Sequence, residues 1–185
     1  MREVHRVGMA DLAAARVPVV LCTIGLGSCV GIALYDRETR VGGLAHIMLP
    51  QAGLRVTNAA KFADTALPLL VEKMVHLGAH PKRLTAKIAG GAQMFQLAEP
   101  TETMRIGERN TEAVLAWLRA ANIPVLAQDT GGNWGRTVEF DTANGELLGE
   151  NHCARDKAAI TSAGWGGEAC AVSRALAALQ EAPFS

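Results

Sequence analysis

Val17-Pro-Val-Val-Leu-Cys-Thr-Ile-Gly-Leu-Gly-Ser-Cys-Val-Gly-Ile-Ala-Leu-Tyr-Asp36, then Arg37-Glu-Thr-Arg40 and Val41-Gly-Gly-Leu-Ala-His-Ile-Met-Leu49, is the stretch that decides the fold class. Residues 17–24 form an apolar run rich in β-branched side chains that enters a glycine turn at 25–27. In 30–36, Val30, Ile32 and Leu34 fall on one face and Gly31, Ala33 and Tyr35 on the other, the period of a strand. The charged tetrapeptide 37–40 turns the chain into 41–49, where Leu44, His46 and Met48 share a face. The three stretches are expected to be consecutive antiparallel strands.

Further along, the period becomes helical. Thr57 is placed to cap a helix on which Ala63, Ala66, Leu67, Leu70, Val71 and Met74 recur, and Gly78 closes it. Pro68 inside it predicts a kink or a fresh turn. Residues 83–88 read as a strand running into Gly90-Gly91. A second amphipathic helix spans 107–121 through Val114, Leu115 and Leu118, and 123–127 reads as a buried strand. Residues 134–141 pair with 146–148 across a turn at 142–145. Strands in runs, with two helices between them, predict an α+β class. The expected architecture is a single-domain layered α/β sandwich with a mostly antiparallel sheet and two main helices. The pattern loosens after Gly149. The domain is therefore expected to span 1–150, with a divergent tail at 151–185 in which 169–179 forms a short helix or stays mobile.

Composition narrows the function classes. The 185 residues suffice for one domain with a real core. Lys+Arg and Asp+Glu both number 18, so the formal charge is zero and no basic stripe stands out for phosphate contacts. With 4 Phe, 3 Trp and 1 Tyr, stacking platforms for bases are scarce. Nucleic acid is not an expected partner. The start of the chain lacks the apolar core of a secretion signal, and the longest apolar run is far short of the ~20 residues of a membrane span. Cys22, Cys29, Cys153 and Cys170 follow no scaffold spacing and read as reduced thiols of a cytoplasmic protein without membrane insertion.

Chemistry concentrates between Thr23 and Gly31. Gly25-Leu-Gly27 opens like a dinucleotide loop, but the third glycine is missing and a strand follows where a helix is needed. Gly27-Ser-Cys29-Val-Gly31 has the form of a glycine-flanked nucleophile. Small neighbours expose the reactive atom, and backbone N–H groups around Gly27 and Ser28 are left for an oxyanion. A tight turn enclosing a small buried cysteine fits the same residues. His46 bears on the choice. If 41–49 lies beside 30–36, the hairpin turn at 37–40 leaves Cys29 and His46 together at its open end, within an expected hydrogen-bond reach of about 3–4 Å. A polar ring in an apolar strand needs a partner, and a satisfied core histidine is the other reading. Thr23 is the hydroxyl just ahead of the turn and a candidate to orient the imidazole, or simply a good strand residue.

Other positions carry weaker signals. Gly90 and Gly91 either line a substrate pocket or merely turn a strand into a loop, and Gln93 is a candidate neighbour of the site. Arg109 and Asn110 open the second helix, where Asn110 reads better as a cap than as a substrate ligand. Arg136 reads as a partner for an acid on a substrate or as a solvated hairpin charge. No metal site is expected: no Cys or His pair has ligand spacing, and Gly78 breaks the helix between His76 and His80. No cofactor is expected.

Leu26-Gly-Ser-Cys-Val-Gly-Ile-Ala-Leu-Tyr-Asp36, Gly43-Leu-Ala-His-Ile-Met-Leu-Pro50, Ala86-Lys-Ile-Ala-Gly-Gly-Ala92, Ile106-Gly-Glu-Arg-Asn110, Asp129-Thr-Gly-Gly132 and Gly135-Arg136 together resemble the CheD family of chemoreceptor glutamine deamidases. The resemblance covers roughly residues 17–148 and keeps the motif order. It implies a layered α/β sandwich related to the deamidating domain of cytotoxic necrotizing factor toxins. It also implies hydrolysis of glutamine side chains on methyl-accepting chemotaxis receptors, with Cys29, His46 and Thr23 matching the family's catalytic Cys, His and Thr. Methyl-glutamate esters present the same acyl centre. Receptors and a CheC-type phosphatase are the implied partners. The tail, with His152, Cys153 and Gly164-Trp-Gly-Gly167, does not match. A CheD-like module that only docks the phosphatase or the receptor array is the alternative, and a papain-like protease a third reading.

Overall fold

The computed structural model describes residues 3–93, 105–151, 157–161 and 164–165. Among them the order is β1 (Glu3–Arg6), β2 (Asp11–Arg16), β3 (Val19–Leu26), β4 (Val30–Asp36), β5 (Val41–Ile47), α1 (Ala63–His76), β6 (Thr85–Gly90), α2 (Ile106–Ala120), β7 (Val125–Thr130), β8 (Arg136–Asp141), β9 (Glu146–Asn151), β10 (Lys157–Thr161) and β11 (Gly164–Trp165). The class is α+β, as the strand runs predict. The strands form two sheets, β1-β3-β8-β9-β10-β11 and β2-β5-β4-β6-β7. Apart from the parallel pairs β1–β3 and β6–β7, the ladders are antiparallel.

The alternation in β4 and β5 gives three layers. Val30, Ile32 and Leu34 of β4, with Ala45 and Ile47 of β5, pack under Ala66, Leu67, Leu70 and Met74 of α1 and Val114 and Leu118 of α2. The opposite face of the same sheet, including Ala33, Tyr35 and Leu44, packs against Leu21, Val138, Phe140 and Leu147 of the other sheet. There Tyr35 and Phe140 meet edge to face, 5.8 Å between ring centres.

Several expectations change at this level. β3 and β4 do not pair: β3 lies between β1 and β8, while β4 lies between β5 and β6. Only β4 and β5 form the expected hairpin. A strand pattern gives the face that is buried, not the sheet that takes it, and a short bend between two stretches serves a sheet change as well as a hairpin. β3 also runs through Gly25 to Leu26, with a register shift after Thr23. The bend sits at 27–29, later than expected.

Strands β1 and β2 are absent from the sequence expectations: both are short, β1 is exposed throughout and β2 fully buries only Leu12. Helix α1 starts at Ala63 behind Phe62, and Asn58 rather than Thr57 caps the preceding 3-10 turn. The helix continues through Pro68. It ends as expected at Gly78, whose φ of +97° fits the left-handed position after a helix. The N–H groups of Gly78 and Ala79 bond Val75 and Met74 oxygens, the paired closure of that motif. β7 is a half-exposed edge strand, not a buried one: Leu126 is 50% exposed. β9 reaches Asn151 and β10 pairs with it, so strand pairing continues past residue 150. Residues 169–179, and with them Cys170, lie outside the described residues, as do His152 and Cys153. No described helix is long and apolar enough to cross a membrane.

Candidate active site

The chain changes sheets between Leu26 and Val30, and that crossing builds the site. Each carbonyl of the bend is held by a donor. Gly27 oxygen accepts from Ala92 N–H at 2.7 Å and Cys29 oxygen from Gly91 N–H at 2.8 Å. Ser28 oxygen accepts from Asn110 Nδ2 at 2.9 Å. Neither ladder uses the N–H groups of Ser28 and Cys29, and among the described residues no carbonyl takes them. The Cys29 N–H faces its own sulfur.

His46 and Thr23 meet across the two sheets. His46, on β5, and Thr23, on β3, are both fully buried, and Thr23 Oγ1 lies 2.7 Å from His46 Nδ1. The single hydroxyl hydrogen is directed at the Val7 carbonyl, also at 2.7 Å. Thr23 Oγ1 is therefore the acceptor toward the ring, Nδ1 carries the hydrogen, and Nε2 is left with a free lone pair. Nε2 is buried and makes no hydrogen bond among the described residues. Burial lowers the His46 pKa to about 4, so the ring is neutral at pH 7.

Cys29 lies on the same face of the sheet as His46. β4 and β5 pair Gly31 with His46. Two residues earlier on the same face, Cys29 is the diagonal neighbour of His46, a separation of about 7–8 Å along the sheet that side chains span. Its side chain belongs to the inter-sheet layer and is 9% exposed, reaching the surface without standing clear of it. Burial raises its pKa, against the opposing effect of its own N–H. The expected Cys29–His46 hydrogen bond is not formed. Gly31, which has no side chain, occupies the position opposite His46, and Cys29 lies past the end of the ladder with its sulfur against its own amide. Nucleophile and base candidates are neighbours with both groups uncharged.

The weaker candidates fare unequally. Gly27 and Ser28 are half-buried and form the bend itself, but the Gly27 N–H expected for an oxyanion is taken by the Gly25 oxygen at 3.0 Å, which leaves the Ser28 N–H of the two. Gly90 is buried at φ +109°, and a Cβ there would collide with the Cys29 oxygen, so its bare backbone is what lets β6 lie against the bend. Gly91 holds the Cys29 carbonyl, and it lines a cavity of about 360 Å³ together with Gln93, Arg105, Glu108, Thr111 and Gly132. Asn110 is not a cap: it sits on the buried stripe of α2, bonded to Ser28 and to Met48 oxygen at 2.9 Å. Arg136 is neither solvated nor free for a substrate. It is 1% exposed and forks onto Asp129 at 2.7 and 3.0 Å. A helix start promotes the cap reading of Asn110 and a hairpin promotes the surface reading of Arg136, but both face inward. A polar residue in register with Val114 and Leu118 was the available signal for Asn110. Nothing in the sequence marks the Val7 carbonyl.

A family model described as CheD chemotactic sensory transduction matches residues 48–151, a span that holds Gly90, Gly91 and Asn110 and begins just after His46. Probable chemoreceptor glutamine deamidases CheD are similar over a longer stretch. The protein of Caldanaerobacter subterraneus subsp. tengcongensis is 51% identical over 148 residues, 79% of this chain and 91% of its own. That of Desulfitobacterium hafniense is 50% identical over 80% of this chain and 92% of its own. That of Clostridium botulinum is 52% identical over 77% and 89%. Among solved structures, a Neisseria meningitidis protein of the DUF152 family overlaps 71% of this chain and 65% of its own, with a TM-score of 0.46 and 10% identity.

Proposed function

Because this chain belongs to the CheD family, we propose that it is a chemoreceptor glutamine deamidase in which Cys29 is the nucleophile, His46 the general base and Thr23 the group that holds the imidazole. The observation that carries this reading is the buried, unpartnered Nε2 of a neutral His46 beside Cys29, with its tautomer set by Thr23. A buried acceptor left without a donor costs about 1–3 kcal/mol, and a base waiting for a proton accounts for it. Catalytic hydrogen bonds are often loose before substrate binds.

In the proposed reaction His46 Nε2 takes the Cys29 proton as the sulfur attacks the side-chain amide carbon of a receptor glutamine. The carbonyl oxygen gains the negative charge and is met by the N–H groups of Ser28 and Cys29. The intermediate collapses to a thioester as the imidazolium gives its proton to the departing ammonia. His46 then takes a proton from water, hydroxide adds to the thioester, and glutamate leaves as the thiol regains its proton. Methyl-glutamate esters are expected to follow the same course with methanol as leaving group. Gly90 and Gly91 act in this reading as the backbone wall that seats the bend and borders the substrate.

In this reading the substrates are methyl-accepting chemotaxis receptors, approached at their cytoplasmic helical region, and the enzyme works in the cytoplasm. A CheC-type phosphatase is proposed as its regulatory partner on the strength of the family alone. Incubation with a purified receptor fragment should release ammonia and convert specific glutamines to glutamates by mass spectrometry, and Cys29→Ala should abolish both. Phosphatase or receptor binding without any conversion by the wild-type chain would reject catalysis in favour of docking alone, and backbone cleavage would indicate a protease.

A further inference from the structure

Asn110 is a fully buried amide on an otherwise apolar or bare stripe of α2, flanked by Gly107, Val114 and Leu118. Its Nδ2 donates to two carbonyls, Ser28 and Met48, each at 2.9 Å, so both amide hydrogens are used. Its Oδ1 is buried and has no partner among the described residues. A leucine would complete the stripe but leave the Ser28 and Met48 oxygens without this donor, so apolar packing does not explain the residue. Its two acceptors do. One lies in the bend just before Cys29, and the other lies two residues beyond His46.

The geometry of the peptide unit says what the first bond achieves. Ser28 C=O and Cys29 N–H belong to one planar trans peptide and point in opposite directions. Drawing the Ser28 oxygen toward α2 therefore turns the Cys29 N–H to the other side, where its own sulfur lies. Ala92 N–H does the same for the preceding peptide by holding the Gly27 oxygen. Of the three donors that hold the bend, Asn110 alone is a side chain and can be removed by substitution. We infer that Asn110 is a positioning residue for the oxyanion site, holding the Ser28–Cys29 peptide so that the Cys29 N–H is presented to the reacting carbonyl. The inference rests on Cys29 being the nucleophile.

Two electrophiles separate this role from a purely structural one. Acylation of Cys29 by p-nitrophenyl acetate passes through a tetrahedral oxyanion, whereas alkylation by iodoacetamide displaces iodide from a saturated carbon and generates none. Asn110→Ala should slow acylation, and kcat of receptor deamidation, by about 10²-fold, the size of a lost oxyanion donor. The alkylation rate and KM should stay as in the wild type. Asn110→Ser, which keeps a donor for one carbonyl, should recover part of the acylation rate. It also serves as the test protein if the alanine variant does not fold, with acylation again falling further than alkylation. Unchanged acylation, or acylation and alkylation falling together, would overturn the inference. A wild-type chain that acylates but converts no receptor glutamine would reject the receptor substrate and leave the Asn110 comparison intact.

Discussion

His46 is where sequence, burial and chemistry meet in one side chain. Burial lowers its pKa from 6.5 to about 4, and the Cys29 thiol is raised, so the resting pair is thiol and imidazole rather than thiolate and imidazolium. Two consequences are measurable. With His46 as the proposed base, this pKa keeps it competent through mildly acidic solution, so the acid limb of kcat/KM should lie near pH 4. A limb near 6.5 would mean that the ring is solvated in the working enzyme. Stability follows the same group with a definite sign. An unfolded chain protonates this histidine near 6.5 while the folded chain resists until about 4, so between those values the unfolded state holds more protons and stability falls as pH falls. The contribution is fully present above 6.5 and is lost by about 4, an amount of roughly 3 kcal/mol at most. Urea titrations across that window should show the slope, and His46→Gln should remove it.

At the scale of elements, the β4–β5 hairpin was legible because every term of its pattern agreed: alternation in both strands, a charged turn, and apolar residues on both faces. It delivered the pairing of Gly31 with His46 and so the neighbourhood of Cys29. Thr23 was legible only as a hydroxyl ahead of a bend. Its contact with His46 depends on β3 joining the other sheet and facing β5 across the interior, and no local period encodes that. The inward turn of Asn110 and Arg136 was hidden for the same reason, since their partners Ser28 and Asp129 come from other elements. Gly90 shows how closely two elements are fitted. Its φ of +109° disfavours any side chain, and a Cβ would strike the Cys29 oxygen. Gly90→Ala should cost about 1–3 kcal/mol from backbone conformation alone, plus the clash. Because the clash pushes on the proposed nucleophile, activity should fall further than the lower unfolding midpoint explains when both are measured well below that midpoint. A variant with full activity and wild-type stability would mean that β6 does not seat the bend.

The described residues form two sheets joined by an apolar layer, with the two helices covering the outer face of one sheet and the candidate site at one end of the seam. An ion pair spans that seam: Arg136 comes from β8 in one sheet and Asp129 from β7 in the other. The guanidinium also donates to the Gly131 oxygen at 2.9 Å and lies over the Trp134 ring at 5.4 Å. Gly131 N–H in turn bonds the Gly90 oxygen, which connects the clamp to the strand end behind Cys29. With Arg136 at 1% exposure, removal of its carboxylate strands a charge in the interior, a loss of about 3–5 kcal/mol. Asp129→Ala should therefore lower the urea midpoint strongly with little change in slope, since the same surface is exposed on unfolding. The size of that loss reflects the abandoned charge more than the worth of the pair. Replacing both partners with apolar residues, Asp129→Leu with Arg136→Met, should recover much of the stability. If the double variant is as unstable as the single, the clamp itself and not the stranded charge holds the sheets together. If Asp129→Ala unfolds like the wild type, the guanidinium finds water and the seam is open at this end.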